Sequence, residues 1–102
     1  MVSESEINQR WIRLLTEAGV PLGPSKDDQQ RYGIGFCTLG LTDAEVDASL
    51  AQVFAALEDT RKTNGFARAE IRAQGLQFSD GPNNLHYGVA MISMPAVSRA
   101  AL

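Results

Sequence analysis

The sequence predicts an α+β domain: a two-layer sandwich in the order α-β-α-β-β, with two amphipathic helices on one face of a small, mostly antiparallel sheet. Three observations carry this. Two stretches repeat apolar residues at helical spacing, and each opens on a capping box. Three others alternate or run apolar in the manner of strands. Glycine and proline clusters separate them.

The first helix is expected from Ser3 to Ala18. Ser3 and Glu6 are spaced as a capping box, with Val2 and Ile7 as its hydrophobic staple. Ile7, Trp11, Leu14, Leu15 and Ala18 share one helical face, which marks Trp11 as core, and Gly19 suits the position just past the end. Pro21, Gly23 and Pro24 forbid regular structure, and Ser25 to Gln30 is a polar loop. Tyr32 to Leu39 alternates large with small, so a strand is expected whose bare side, Gly33, Gly35 and Cys37, lets a helix pack close. The second helix runs from Asp43 to about Thr63. Thr42 and Glu45 form its capping box, with Leu41 and Val46 as staple, and its core ladder is Val46, Leu50, Val53, Phe54 and Leu57. Acids at its start and Arg61-Lys62 near its end complement the helix dipole, and Asn64-Gly65 stops it.

Phe66 to Phe78 reads as a half-exposed strand, although its Ala, Arg and Glu content also suits a helix. Apolar parity changes after Gly75, which a bulge there would produce. Ser79 to Asn84 is a turn. Leu85 to Met94 is the most apolar strand; Pro95 ends it, and residues 95–102 form a flexible tail or one short helical turn. All 102 residues make one domain, residues 1–102.

Composition excludes several classes of function. A net charge of -3 with scattered Lys and Arg argues against nucleic acid. No apolar run reaches the roughly 20 residues that span a bilayer. The acidic start, Ser3 to Glu6, lacks the basic character of a signal peptide, and the single cysteine, Cys37, forbids an internal disulfide. A cytoplasmic protein is expected.

The chain shows no catalytic constellation, and neither a metal nor a cofactor is expected. His86 is the only histidine, so histidine-based zinc sites are excluded. Cys37 with His86 could form a thiolate pair, but a cysteine in an apolar strand is expected to be buried and inert. Gly33-Ile34-Gly35 lies inside a strand and lacks the third glycine of a dinucleotide loop. The helix start after Gly40 could hold an anion, yet Thr42 occupies its donors and three nearby acids would repel one. Asp27-Asp28 reads as a solvated pair.

Trp11 to Ser25, then Gly35 to Leu39, then Leu41 to Leu50 resemble the C-terminal small domain of class III pyridoxal-phosphate aminotransferases. There a helix ends in Gly-Val, as at Gly19-Val20, a Pro-Ser follows, as at Pro24-Ser25, and a strand leads to a Thr-capped helix. The likeness covers residues 11–58. The family's cofactor lysine sits in a large domain this chain lacks, so the resemblance implies a shared scaffold and carries no active-site residue over.

Two functions follow as expectations. The first is a non-catalytic protein-binding or regulatory module. The alternative is a detached small domain or accessory subunit of an aminotransferase-like enzyme. Leu85 to Met94 is apolar on both faces, and two helices cover only one. The other is expected to meet another molecule, as a homodimer or with a protein partner, with Ala90, Ile92, Met94 and His86 near the contact.

Overall fold

Ser3 opens the first helix, its hydroxyl accepting the Glu6 N–H at 3.2 Å. The computed structural model describes residues 2–37, 41–80 and 86–101. Helix α1 spans Glu4–Glu17 and buries Ile7, Trp11 and Leu15. Gly19, at φ 75°, closes it, while the Val20 N–H reaches back to the Leu15 carbonyl at 2.9 Å. Helix α2 spans Asp43–Thr63. Both halves of its capping box form: Glu45 N–H donates to Thr42 Oγ1 at 3.3 Å, and Thr42 N–H to Glu45 Oε1 at 3.1 Å. Leu41 and Val46 are buried together in the core as the staple requires. Such a cap is worth about 1 kcal/mol.

The sheet is built around its last strand. β1 (Gln29–Cys37), β2 (Arg72–Ala73) and β3 (Gln77–Asp80) all pair antiparallel with β4 (His86–Pro95), β1 on one side and β2 with β3 on the other. The two-layer α+β class is therefore the fold of this chain. β1 begins three residues before Tyr32 because Gln29, Gln30 and Arg31 pair with Pro95, Met94 and Ser93. The side-chain oxygen Oε1 of Gln29 also accepts from the Lys26 N–H at 2.8 Å and the Ser93 hydroxyl at 3.1 Å. Of the turn expected at Ser79 to Asn84, Ser79 and Asp80 instead extend β3, paired with Tyr87 and His86; Thr38, Leu39 and 81–84 lie outside the described residues.

The segment from Phe66 divides. Arg68–Glu70 is a short 3-10 turn, because Glu70 folds back to accept the Ala67 N–H at 3.1 Å and Arg68 is drawn to Glu58. Ala67 and Ala69 are exposed, so their alternation with charged residues does not mark a strand. The bulge at Gly75 does form. Three residues, Gln74 to Leu76, stand opposite two, Ala90 and Met91, between the pairs Ala73↔Ile92 and Gln77↔Val89. Buried parity passes from Ile71 and Ala73 to Leu76, so both halves face the core. The displaced backbone is satisfied by α1. Asn8 Oδ1 accepts the Leu76 N–H at 2.7 Å, and Trp11 Nε1–H donates to the Gln74 carbonyl at 3.3 Å. A Cβ on Gly75 would stand 3.0 Å from Asn8 Oδ1, so a larger residue would press on the oxygen that caps the bulge.

Two expectations about faces are corrected. Ala90, Ile92 and Met94 are 0, 1 and 0 % exposed, beneath the two helices; the chain covers that face itself, and the open face carries Tyr87, Val89 and Met91. On β1, Tyr32, Ile34 and Phe36 face the helices while Gly33, Gly35 and Cys37 lie on the open side. Gly33 serves a neighbour on the sheet: a Cβ there would meet Val89 Cγ1 at 3.3 Å and Met91 Sδ at 3.5 Å. Gly88 does the equivalent on the core side, where the Phe36 and Phe78 rings press against β4. Beyond β4, residues 96–101 turn back onto the end of α2. The Asn64 carbonyl accepts the Arg99 N–H at 3.0 Å and the Ser98 hydroxyl at 3.2 Å. Of the two forms expected for the tail, this is the short helical turn, Arg99–Ala101.

The face assignment predicts opposite responses from adjacent residues. Ile92→Asp buries an unpaired charge and should cost more than about 4 kcal/mol, whereas Met91→Gln should stay within about 1 kcal/mol. Urea denaturation of both variants is the check; equal losses would mean the faces are misassigned. Asn8→Ala strands the Leu76 N–H and should cost about 2 kcal/mol, and Asn8→Asp, which keeps the acceptor, should recover most of it.

Candidate binding surface

The open side of the sheet is a stripe along β4, Tyr87, Val89 and Met91, flanked by Gly33 and Gly35 on β1 and by Gln77 and Ser79 on β3. Tyr87 is 37 % exposed and Val89 and Met91 are half-buried. The glycines keep the face flat. Toward the Pro95 end the character changes: Ser93 is buried and bonded to Gln29, with Arg31 and Arg72 on either side. His86 belongs to β4 by its backbone, and its side chain lies outside the described residues. Of the expected contact residues, Ala90, Ile92 and Met94 are therefore in the core, and the sheet's solvent side uses their odd-numbered neighbours.

Cys37 is exposed at the end of β1, against the expectation of a buried thiol. Its odd position places it with Gly33 and Gly35 on the uncovered side. Trp11, in contrast, is fully buried, as its helical spacing requires.

Two other places gather charge. A cleft of about 650 Å³ lies between α1 and α2, lined by Arg10, Arg13, Glu17, Asp43 and Asp47 among others. Arg10 spans it, bonded to Asp43, to Asp47 at 3.1 Å and to Glu6. The hydrogen bond to Asp43, above all, holds the guanidinium proton more tightly than usual. The start of α2 is thus filled by its own cap and acids. Of the charged groups that line the cleft, Asp43 and Asp47 are engaged in ion pairs with Arg10.

The second place is Glu58, a buried charge on α2 at 7 % exposure. Arg61 and Arg68 both bond its carboxylate. Arg61 also donates to the Phe66 carbonyl at 2.7 Å, and Arg68 to the Ala18 carbonyl at 3.2 Å while its guanidinium lies 5.7 Å from the Phe54 ring centre. Burial, the largest single influence, pushes the carboxyl up. The bonds and charges of Arg61 and Arg68 together outweigh it and hold Glu58 below the usual carboxylate value. A general acid would need the opposite shift. This cluster ties α2 to the 66–70 segment and to the end of α1; it is a structural lock that pairwise sequence spacing does not reveal.

Among the described residues no group of His, Cys, Asp and Glu could hold a metal ion, and no helix is long and apolar enough to cross a membrane. Comparison of the chain with protein-family models, with curated proteins and with solved structures gives no match.

The lowered Glu58 value has a definite sign. Its contribution to stability is full above the unfolded carboxyl's pKa and is lost as pH falls below about 4.3 through the folded value. Glu58→Gln should therefore cost about 2 kcal/mol near neutral pH, and the gap to wild type should shrink steadily on acidification. A gap independent of pH would remove the ion pair from the account.

Proposed function

We propose that this chain is a non-catalytic protein-binding module of the cytoplasm, acting through the open side of its sheet. One observation carries the reading: the apolar stripe Tyr87, Val89 and Met91 is uncovered among the described residues, whereas each cluster of charged groups is spent on holding the fold. A flat face made of Val and Met beside glycine suits another protein's apolar surface. The exposed thiol of Cys37 suits a reducing compartment.

A second reading, an accessory domain of an aminotransferase-like enzyme, is supported by element order alone. The stretch that resembles that family folds as a helix closed at Gly19, a strand, and a Thr42-capped helix. Lys26 and Lys62 are both exposed and neither is desolvated enough to act as a reactive amine, so this reading needs the cofactor site from a partner.

The test places a photo-crosslinking side chain at Met91 and, separately, at the exposed Ala55 of α2. Crosslinks to protein should form from 91, fall with excess unlabelled wild type, persist with excess Val89→Glu, and be absent from 55. Equal labelling from both positions, or none from 91, would sink the binding-face reading. Copurification with a second protein that carries bound pyridoxal phosphate would instead favour the enzyme.

A further inference from the structure

We infer that β1 joins a second copy of this chain edge to edge, antiparallel, in the register that sets Ile34 against the copy's Ile34. The two edges of the sheet are treated very differently, and the contrast is the first support. The β2–β3 edge is blocked three times over. Ala73 is capped on its outer side, its N–H by the Pro21 carbonyl at 2.9 Å and its carbonyl by the Gly23 N–H at 3.1 Å. The bulge residues are held by Asn8 and Trp11, and β3 is only 4 residues long. These are the devices by which proteins protect a strand edge. β1 has none of them. It runs 9 residues without proline or bulge, with Arg31 as its only charge. Among the described residues, no side chain or backbone outside the β1–β4 ladder bonds the backbone of Gln30 to Cys37.

The ladder itself says which groups point outward. Gln74 N–H donates to the Met91 carbonyl at 3.0 Å, so the odd residues of β4 address β2 and β3 and the even ones address β1. Tyr32, Ile34 and Phe36, opposite Ile92, Ala90 and Gly88, consequently turn their N–H and C=O groups inward. Arg31, Gly33, Gly35 and Cys37 turn theirs out. Only an extended backbone satisfies such a row.

That the strand is a copy of this one follows from self-complementarity. A two-fold axis beside Ile34 sets Arg31 against the copy's Cys37 and Gly33 against the copy's Gly35, so the four outward residues of β1 other than Gln29, whose N–H is held by the Lys26 carbonyl, are paired at once. The same register places Tyr32 against the copy's Phe36 and Ile34 against its equivalent on the helix side, where all three are only partly covered in one chain. Aromatic and β-branched cross-strand pairs are favourable neighbours. Arg31 meets a thiol and not its own charge. The even register centred on Gly33 would instead set Cys37 against the copy's Gln29, whose N–H is already bonded to the Lys26 carbonyl at 3.1 Å, and an isologous contact closes on itself as a dimer.

This contact uses the edge of the sheet and stands apart from the open-face reading, so different variants separate the two. Sedimentation equilibrium at micromolar concentration should give wild type at twice its 11.0 kDa. Gly35→Pro should be a folded monomer: its φ lies outside the left-handed region, a Cβ there has only the Gly88 carbonyl within 4 Å, and proline removes an outward N–H at the edge. Arg31→Cys, under mild oxidation, should link to Cys37 of the copy, while wild type and the double variant Arg31→Cys, Cys37→Ser should not. The two positions are too far apart on one strand to link within a chain. A monomeric wild type overturns the proposal. So does a dimer that survives Gly35→Pro, or one lost on Met91→Glu with Gly35→Pro unchanged, which would move self-association to the open face. If Gly35→Pro fails to fold, the Arg31→Cys link decides alone.

Discussion

The backbone at Gln74 to Leu76 cannot complete its ladder with β4, because three residues there face two. Much of the molecule depends on how that deficit is met. Asn8 and Trp11 come from successive turns of α1 and bond one carbonyl and one N–H of the bulge. Without them a buried donor and acceptor would be orphaned, at a cost of about 1–3 kcal/mol each. With them, α1 is fixed over the β2–β3 side of the sheet by directional bonds, which apolar packing alone would not specify. Trp11 does both at once, its ring filling the core while its N–H reaches the Gln74 carbonyl.

The bulge also decides the faces. By adding one residue it lets Ile71 and Ala73, then Leu76, point to the same core, which an uninterrupted strand could not do. At the other end of α1 the Glu58 cluster gives a second fixed point, since Arg68 bonds both Glu58 and the Ala18 carbonyl. One helix is thus anchored near its start to the sheet and at its end to α2. The side of the molecule that carries β2 is closed by these contacts, and among the described residues nothing bonds the outer edge of β1 from Gln30 to Cys37.

Much of this was legible in the sequence. Both helices could be read because caps and apolar ladders are local signals, although of the two expected capping boxes only that of Thr42 and Glu45 is complete; at Ser3 the hydroxyl half forms while the Glu6 carboxylate turns to Arg10. The parity change after Gly75 announced the bulge for the same reason. The solvent side of the sheet was not legible. Ala90, Ile92 and Met94 differ little in hydropathy from Val89 and Met91, so β4 alone could not say which set lies under the helices. Gly33 was read as making room for a helix, when it makes room for Val89 and Met91 on the adjacent strand. Such cross-strand needs depend on register, which a single strand does not contain. Cys37 followed the same error, because its burial depended on the same choice of face. The strand reading of Ala67 and Ala69 failed because Glu70 and Arg68 found partners that the alternating pattern cannot show.

The residues of β1 that turn their backbone outward include both of its glycines, which is what the proposed pairing with a second copy would use. A glycine on an edge presents N–H and C=O with no side chain beside them, so another strand can approach closely. Recognition by such an edge is carried by the peptide groups, with side chains setting only the register. A site of that kind has no catalytic residues, no ligand set and no perturbed titratable group. It therefore leaves little trace in residue types taken one at a time. It shows only when the ladder fixes which peptide groups lack a partner among the described residues, and when the opposite edge, capped at Ala73 and at the bulge, shows what a protected stretch of this same sheet looks like.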